Sequence, residues 1–130
     1  MSAANVLKYI KEKDAEFVDL RFTDPRGKLQ HLTMDTSVVD EDMLQNGVFF
    51  DGSSIAGWKA INESDMILKP DTSRMFVDPF NSHNTVVIFC DILDAIKKTP
   101  YERDPRGVAK KAEKYLIDSG IGDKAFFGPE

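Results

Sequence analysis
The run Val86-Val87-Ile88-Phe89-Cys90 limits the fold more than any other stretch of this chain. It is the longest apolar run, and residues 85–93 around it are apolar almost throughout. A strand with no polar face cannot leave either side in water. The segment therefore predicts a central strand covered on both faces. The rest of the chain must supply flanking strands and covering helices. With 42% apolar and 30% charged residues, the composition suits a soluble core of that kind. A length of 130 residues fits one domain, or a small domain with part of another.

The residues before the central strand change period repeatedly. Ala3, Val6, Leu7 and Ile10 recur at helical spacing against Lys8, Lys11 and Glu12, with Ser2 placed as a cap. Val18, Leu20 and Phe22 alternate with Asp19 and Arg21, the pattern of a half-buried strand. Asp24-Pro25-Arg26-Gly27 carries the residues of a type I turn, and Leu32 and Met34 then flank Thr33 in a second strand. Together these predict a hairpin. A short helix is expected at residues 41–45, capped by Asp40 and ended by Gly47. Residues 48–65 lose any period, yet carry Phe49, Phe50, Ile55, Trp58 and Ile61. That is too apolar for disorder, so an ordered, packed loop is expected. Met66-Ile67-Leu68 and Met75-Phe76-Val77 read as two short strands, closed by Pro70 and Pro79. This order predicts an α+β fold, a mixed sheet with a covering helix.

Residues 97–103, KKTPYER, are charged, polar and broken by Pro100, as at a boundary. Asp104-Pro105 then gives a helix start, with Asp as cap and Pro at the first helical position. Val108, Ala112, Tyr115 and Leu116 form an apolar stripe, Lys110, Lys111, Glu113 and Lys114 a polar face, and Gly120 the stop. A strand-like run, Ala125-Phe126-Phe127, precedes Gly128-Pro129-Glu130. A helix and one strand cannot make a core, so this part is expected to open a larger domain. The expected division is residues 1–98, a linker at 99–103, and 104–130.

Composition excludes several functions. The net charge of −5 leaves no basic footprint for nucleic acid and no polybasic patch for an anionic membrane. No run approaches the ~20 apolar residues of a membrane helix. The opening MSAANVLKYIKEKDAE turns charged before the apolar core of a secretion signal could form. One cysteine, Cys90, excludes an intrachain disulfide and reads as a buried, inert thiol. A reducing, cytoplasmic setting is the default. His31 and His83 lack partners at metal-ligand spacing and are expected to be solvated or locally bonded. There is no nucleophile triad and no Gly-rich phosphate loop.

Carboxylates remain. Asp51, in Phe49-Phe50-Asp51-Gly52-Ser53-Ser54, has two readings. It is a turn residue bonding the backbone two residues on, or a carboxylate held at a reaction site. Glu130 follows an apolar run and Gly-Pro, which would fix it at a sheet edge. Trp58 reads as a packing anchor, and residues 62–65 as a polar turn.

Taken in order, FDGSS at 50–54, GW at 57–58, NESDM at 62–66, DPF at 78–80, CDI at 90–92, YERDPR at 101–106 and FGPE at 127–130 resemble the bacterial glutamine synthetases. The opening FVDLRFTD with its later GK is similar to that family too. The likeness covers essentially the whole chain.

The resemblance implies a β-grasp domain over the first part and the start of a catalytic domain after the linker. It implies an enzyme joining glutamate and ammonia with ATP through γ-glutamyl phosphate. The family's assembly would be a homo-oligomeric double hexamer, a dodecamer, with each site shared between neighbouring subunits. Asp51 matches the family's ammonium-handling aspartate and Ser54 a serine oxygen of the same loop. Glu130 matches a ligand to Mg²⁺ or Mn²⁺. Asp65 and Trp58 would support the loop's shape. Asp51 would then serve a neighbour's site and Glu130 its own, which predicts that the two lie far apart. No ligase activity and no bound cofactor are expected of these residues alone. The alternative is a self-contained β-grasp module that binds a protein partner by sheet-edge recognition. A regulatory paralogue that has lost its site is opposed by the presence of Asp51 and Glu130.

Overall fold
The computed structural model describes residues 1–57 and 65–129. Trp58, Ile61, Asn62, Glu63, Ser64 and Glu130 therefore lie outside the described residues.

Local chemistry sets the first elements. Helix α1 (Ala3–Glu12) starts at Ser2, whose Oγ accepts from the Asn5 amide at 3.3 Å. Strands β1 (Phe17–Thr23) and β2 (Leu29–Asp35) pair antiparallel as the predicted hairpin, Val18 opposite Met34. Its turn is held by Asp24, whose Oδ1 accepts from the Arg26 and Lys28 amides, each at 2.9 Å. Helix α2 (Glu41–Asn46) is capped by Asp40, whose Oδ1 accepts from the Met43 amide at 2.8 Å. It ends where Gly47 takes a φ of +89°.

Among the described residues three more strands join the sheet: β3 (Val48–Asp51), β4 (Asp65–Val77) and β5 (Thr85–Asp94). The order is β2-β1-β5-β4-β3, so the apolar run lies in the middle strand, as expected. β5 runs parallel to β1 and antiparallel to β4, which makes the sheet mixed. On one face, Val18, Leu20, Met66, Leu68, Val86, Ile88, Cys90 and Ile92 pack against Val6 and Ile10 of α1 and Met43 and Leu44 of α2. Each such fully buried aliphatic side chain contributes about 1.5–3 kcal/mol. Cys90 belongs to this layer, and burial pushes its thiol pKa up.

Some expectations need correction. The two short strands predicted at Met66 and Met75 are one strand, β4, with a register shift between Pro70 and Met75. Pro70 is tolerated because β3 pairs only as far as Leu68, which leaves that side of β4 without a ladder. Part of the predicted loop is strand β3. Residues 125–127 form no strand. The far face of the central strand is only partly covered: Val87 is buried, but Phe89 is 39% exposed.

Helix α3 (Pro105–Asp118) begins at the predicted cap. Asp104 is 1% exposed. Its Oδ1 accepts from the Arg106 amide at 3.1 Å and its Oδ2 from the Ile92 amide at 3.1 Å. One carboxylate thus starts α3 and ties it to β5. Arg106 reinforces the tie, donating to Asp91 at 3.0 Å and to Asp71. The predicted stripe is not a buried one: no residue of α3 is buried, and Val108 and Tyr115 are exposed.

Candidate functional site
Among the described residues strand β3 is an edge strand, and Asp51 is its last residue. The chain then closes a 3₁₀ turn at Gly52–Ser54, with Asp51 as its N-cap. Asp51 Oδ1 accepts from the Ser53 amide at 2.9 Å and from the Ser53 hydroxyl at 2.6 Å. This is the bond to the backbone two residues on that a turn aspartate makes. It also holds the carboxylate in one orientation. The turn and the reaction-site readings are therefore compatible.

Asp51 and Ser54 are both exposed, whereas Gly52 and Ile55 are buried. Ile55 is thus a plug that seats the loop in the core, leaving the polar atoms outside. Across the β3–β4 ladder Asp51 pairs with Asp65, also exposed. Like charges opposed on adjacent strands repel. At an edge strand the same pair gives a local negative field that attracts a small cation.

The structure brings Asp51, Ser54 and Asp65 to one corner of the sheet. Glu130, Trp58 and residues 62–64 lie outside the described residues, so the predicted separation of Asp51 and Glu130 falls outside them too. Among the described residues no group of three or more His, Cys, Asp or Glu could hold a metal ion.

Sequence reasoning passed over a second polar cluster. Asp19, 3% exposed, accepts from Arg21 Nε at 2.7 Å and from Thr33 Oγ1 at 2.8 Å, and lies 2.8 Å from His31 Nδ1. Arg21 also donates to Asp78 at 2.5 Å. The signal was present: Asp19 and Arg21 alternate with the core residues of β1, and the turn sets the register that puts Thr33 and His31 opposite them. His83 is likewise locally placed, 3.3 Å from Glu16.

These contacts predict an acid limb in stability. Burial would raise the Asp19 carboxyl, but the bonds from Arg21, His31 and Thr33 outweigh it and the net shift is downward. Asp71 behaves alike: burial raises it, but Ser73 and Arg106 pull it lower. Asp78 is lowered by the Phe80 amide and Arg21. A carboxylate lowered in the folded state stabilises above its unfolded pKa and loses that contribution as pH falls through the folded one. Asp104 has the opposite sign, because burial raises it; its contribution is largest in acid and declines as pH rises. With Asp24 and Asp35, also lowered by hydrogen bonds they accept, the lowered groups among the described residues outnumber it five to one. Urea unfolding midpoints are expected to hold steady near neutrality and to fall below about pH 4. A midpoint that rises on acidification would contradict this account.

Residues 14–95 match the family described as "Glutamine synthetase, beta-Grasp domain". The glutamine synthetase of Rhizobium meliloti is 66% identical, over 100% of this chain and 28% of its own length. That of Azorhizobium caulinodans is 60% identical over 99% of this chain and 28% of its own. A cryo-EM structure of Plasmodium falciparum glutamine synthetase superposes with a TM-score of 0.81 at 26% identity. It covers 92% of this chain and 23% of that one. The chain thus spans 28% of the length of these curated relatives.

Proposed function
The chain belongs to the glutamine synthetase family, and from that premise we propose that it is the N-terminal part of an ATP-dependent glutamate–ammonia ligase. It supplies the ammonium-site loop to a neighbouring subunit. Residues 1–98 are the β-grasp domain and residues 104–130 open the catalytic domain. The complete enzyme is a cytoplasmic homo-oligomer, a dodecamer. No helix among the described residues is long and apolar enough to cross a membrane.

The observation that carries this reading is the placement of Asp51. The family match includes its loop, and the carboxylate is exposed at a sheet edge instead of facing its own chain's core. A site completed by another subunit needs that geometry. Ammonium has no lone pair and cannot attack an acyl phosphate. The Asp51 carboxylate attracts the cation and accepts one proton from it, and Ser54 offers a neutral oxygen. The freed ammonia forms the new C–N bond at the γ-carbonyl carbon of γ-glutamyl phosphate. The C–O bond to phosphate breaks, the attached nitrogen gives its extra proton to the departing group, and hydrogen phosphate leaves. Glu130 is proposed as a residue that would hold Mg²⁺ or Mn²⁺, which would supply positive charge to offset that on the phosphoryl group from ATP.

Helix α3 supports the domain assignment. None of its residues is buried, and Phe126 and Phe127 beyond it are 90% and 92% exposed. Apolar surface of this kind suits cover by further chain. The test is an assay with glutamate, ATP, ammonium and Mg²⁺. The purified 130-residue chain is expected to make no glutamine above the blank, and the same chain within its full-length enzyme to make it. Glutamine formed by the 130 residues alone would overturn the assignment.

A further inference from the structure
Six residues after Asp51, at Gly57, the loop is tied to a residue from another part of the sequence. Arg103 donates from a guanidinium NH to the Gly57 carbonyl oxygen at 3.3 Å, across 46 residues of chain. Arg103 itself is held on a fixed base. The Tyr101 amide donates to the Ile92 carbonyl at 2.8 Å, and Asp104 Oδ2 accepts from the Ile92 amide at 3.1 Å. Both bonds of one residue in the central strand thus grip the chain on either side of Arg103. Tyr101 also packs on the core.

Gly57 has a φ of +91° and lies beside Pro25, and both Ala56 and Gly57 are exposed. The loop is fixed at its root by the Asp51–Ser53 bonds and at its middle by Ile55. The Arg103 bond gives the described part of the loop a third fixed point, beyond Ile55. A shift at Gly57 passes through Ala56 and Ile55 to Ser54 and so changes its position relative to Asp51.

We propose that Arg103 is a positioning residue for the Asp51 loop: it carries the rigidity of the Ile92–Asp104 anchor to the Gly57 carbonyl and so sets the Asp51–Ser54 geometry. The catalytic relevance of this strap rests on the ammonium reading of Asp51; the strap itself does not. A guanidinium offers several donors in a fixed plane, and an ammonium at Lys length offers a single point charge. Arg103→Lys should therefore restore part of what Arg103→Gln removes.

Two measurements separate the strap from the function. Residue-resolved amide hydrogen exchange on the 130-residue chain reads the strap. In Arg103→Gln, exchange at Ser53 and Ile55 should speed up about three- to tenfold, the range one net hydrogen bond gives. Leu20 and Ile88 should be unchanged, and Arg103→Lys should fall between. Equal exchange in Arg103→Gln and wild type, or equal acceleration at Leu20 and Ile88, overturns the strap. Kinetics of the full-length enzyme read the consequence: the KM for ammonium should rise severalfold with kcat nearly kept. Faster loop exchange with an unmoved ammonium KM would leave the strap standing and overturn the link to the site.

Discussion

Asp51→Asn in the complete enzyme is expected to lower glutamine formation from ammonium by about 10²- to 10⁴-fold, the range for loss of a general base. The substitution isolates chemistry from shape. An Asn oxygen can still accept from the Ser53 amide, as Asp51 Oδ1 does at 2.9 Å. The 3₁₀ turn at Gly52–Ser54 should therefore persist. What disappears is the negative charge and the proton acceptor. The defect should shrink as pH rises, because more of the nucleophile then arrives as neutral ammonia. Rates across pH, with ammonium varied, check this. Wild-type rate and ammonium KM in the Asn variant would remove Asp51 from the site. Asp65→Asn should cost far less if Asp65, across the ladder, adds only field.

Gly47→Ala is expected to destabilise the chain by about 2–6 kcal/mol, combining the strain of a backbone conformation (φ +89°, ψ −176°) essentially reserved for glycine with overpacking. A Cβ at Gly47 would stand 2.4 Å from the Leu68 carbonyl oxygen and 2.6 Å from Ile67 Cγ2. One of these contacts is backbone in β4, which cannot rotate away. Gly47 also has a φ of +89°, a region that L side chains rarely adopt. Gly27→Ala is the matched control. Its φ of +85° is similar, but among the described residues nothing would lie within 4 Å of a Cβ there. It should lose only about 1 kcal/mol, the left-handed penalty alone. Urea unfolding of both variants gives the difference. Equal losses would show that the clash with β4 relaxes freely.

The Gly47 contact bears on the site as well as on stability. Val48 follows it and pairs with Leu68; three residues later Asp51 meets Asp65. Because side chains alternate along a strand, a slip of one residue here would send the Asp51 carboxylate to the other face.

Elements whose signals are local could be read directly. Ser2, Asp40 and Asp104 each cap the helix predicted to follow them. The Asp24 turn and the alternation around Leu20 yielded the hairpin, and the apolar run yielded the central strand. Strand β3 escaped because it is four residues long and its period is too brief to register. β4 read as two strands because Pro70 and the polar residues after it interrupt the apolar pattern, although the ladder with β5 continues past them. The run Ala125-Phe126-Phe127 has strand composition but no partner among the described residues, and a strand exists only through its neighbour's hydrogen bonds.

The candidate site divides in the same way. Asp51 and Ser54 stood out by motif order, and their loop by its aromatic and glycine content. The sequence by itself determined the α+β class, the caps, the first hairpin, the central strand and the family, since each rests on residues close together or on motifs in fixed order. Only the tertiary structure decided that Asp51 lies at an edge opposite Asp65, that Ile55 anchors its loop, and that Arg103 reaches Gly57. Those facts depend on strand order, register and contacts between distant segments. No local propensity encodes them, because the free energy that selects them comes from packing the whole sheet at once.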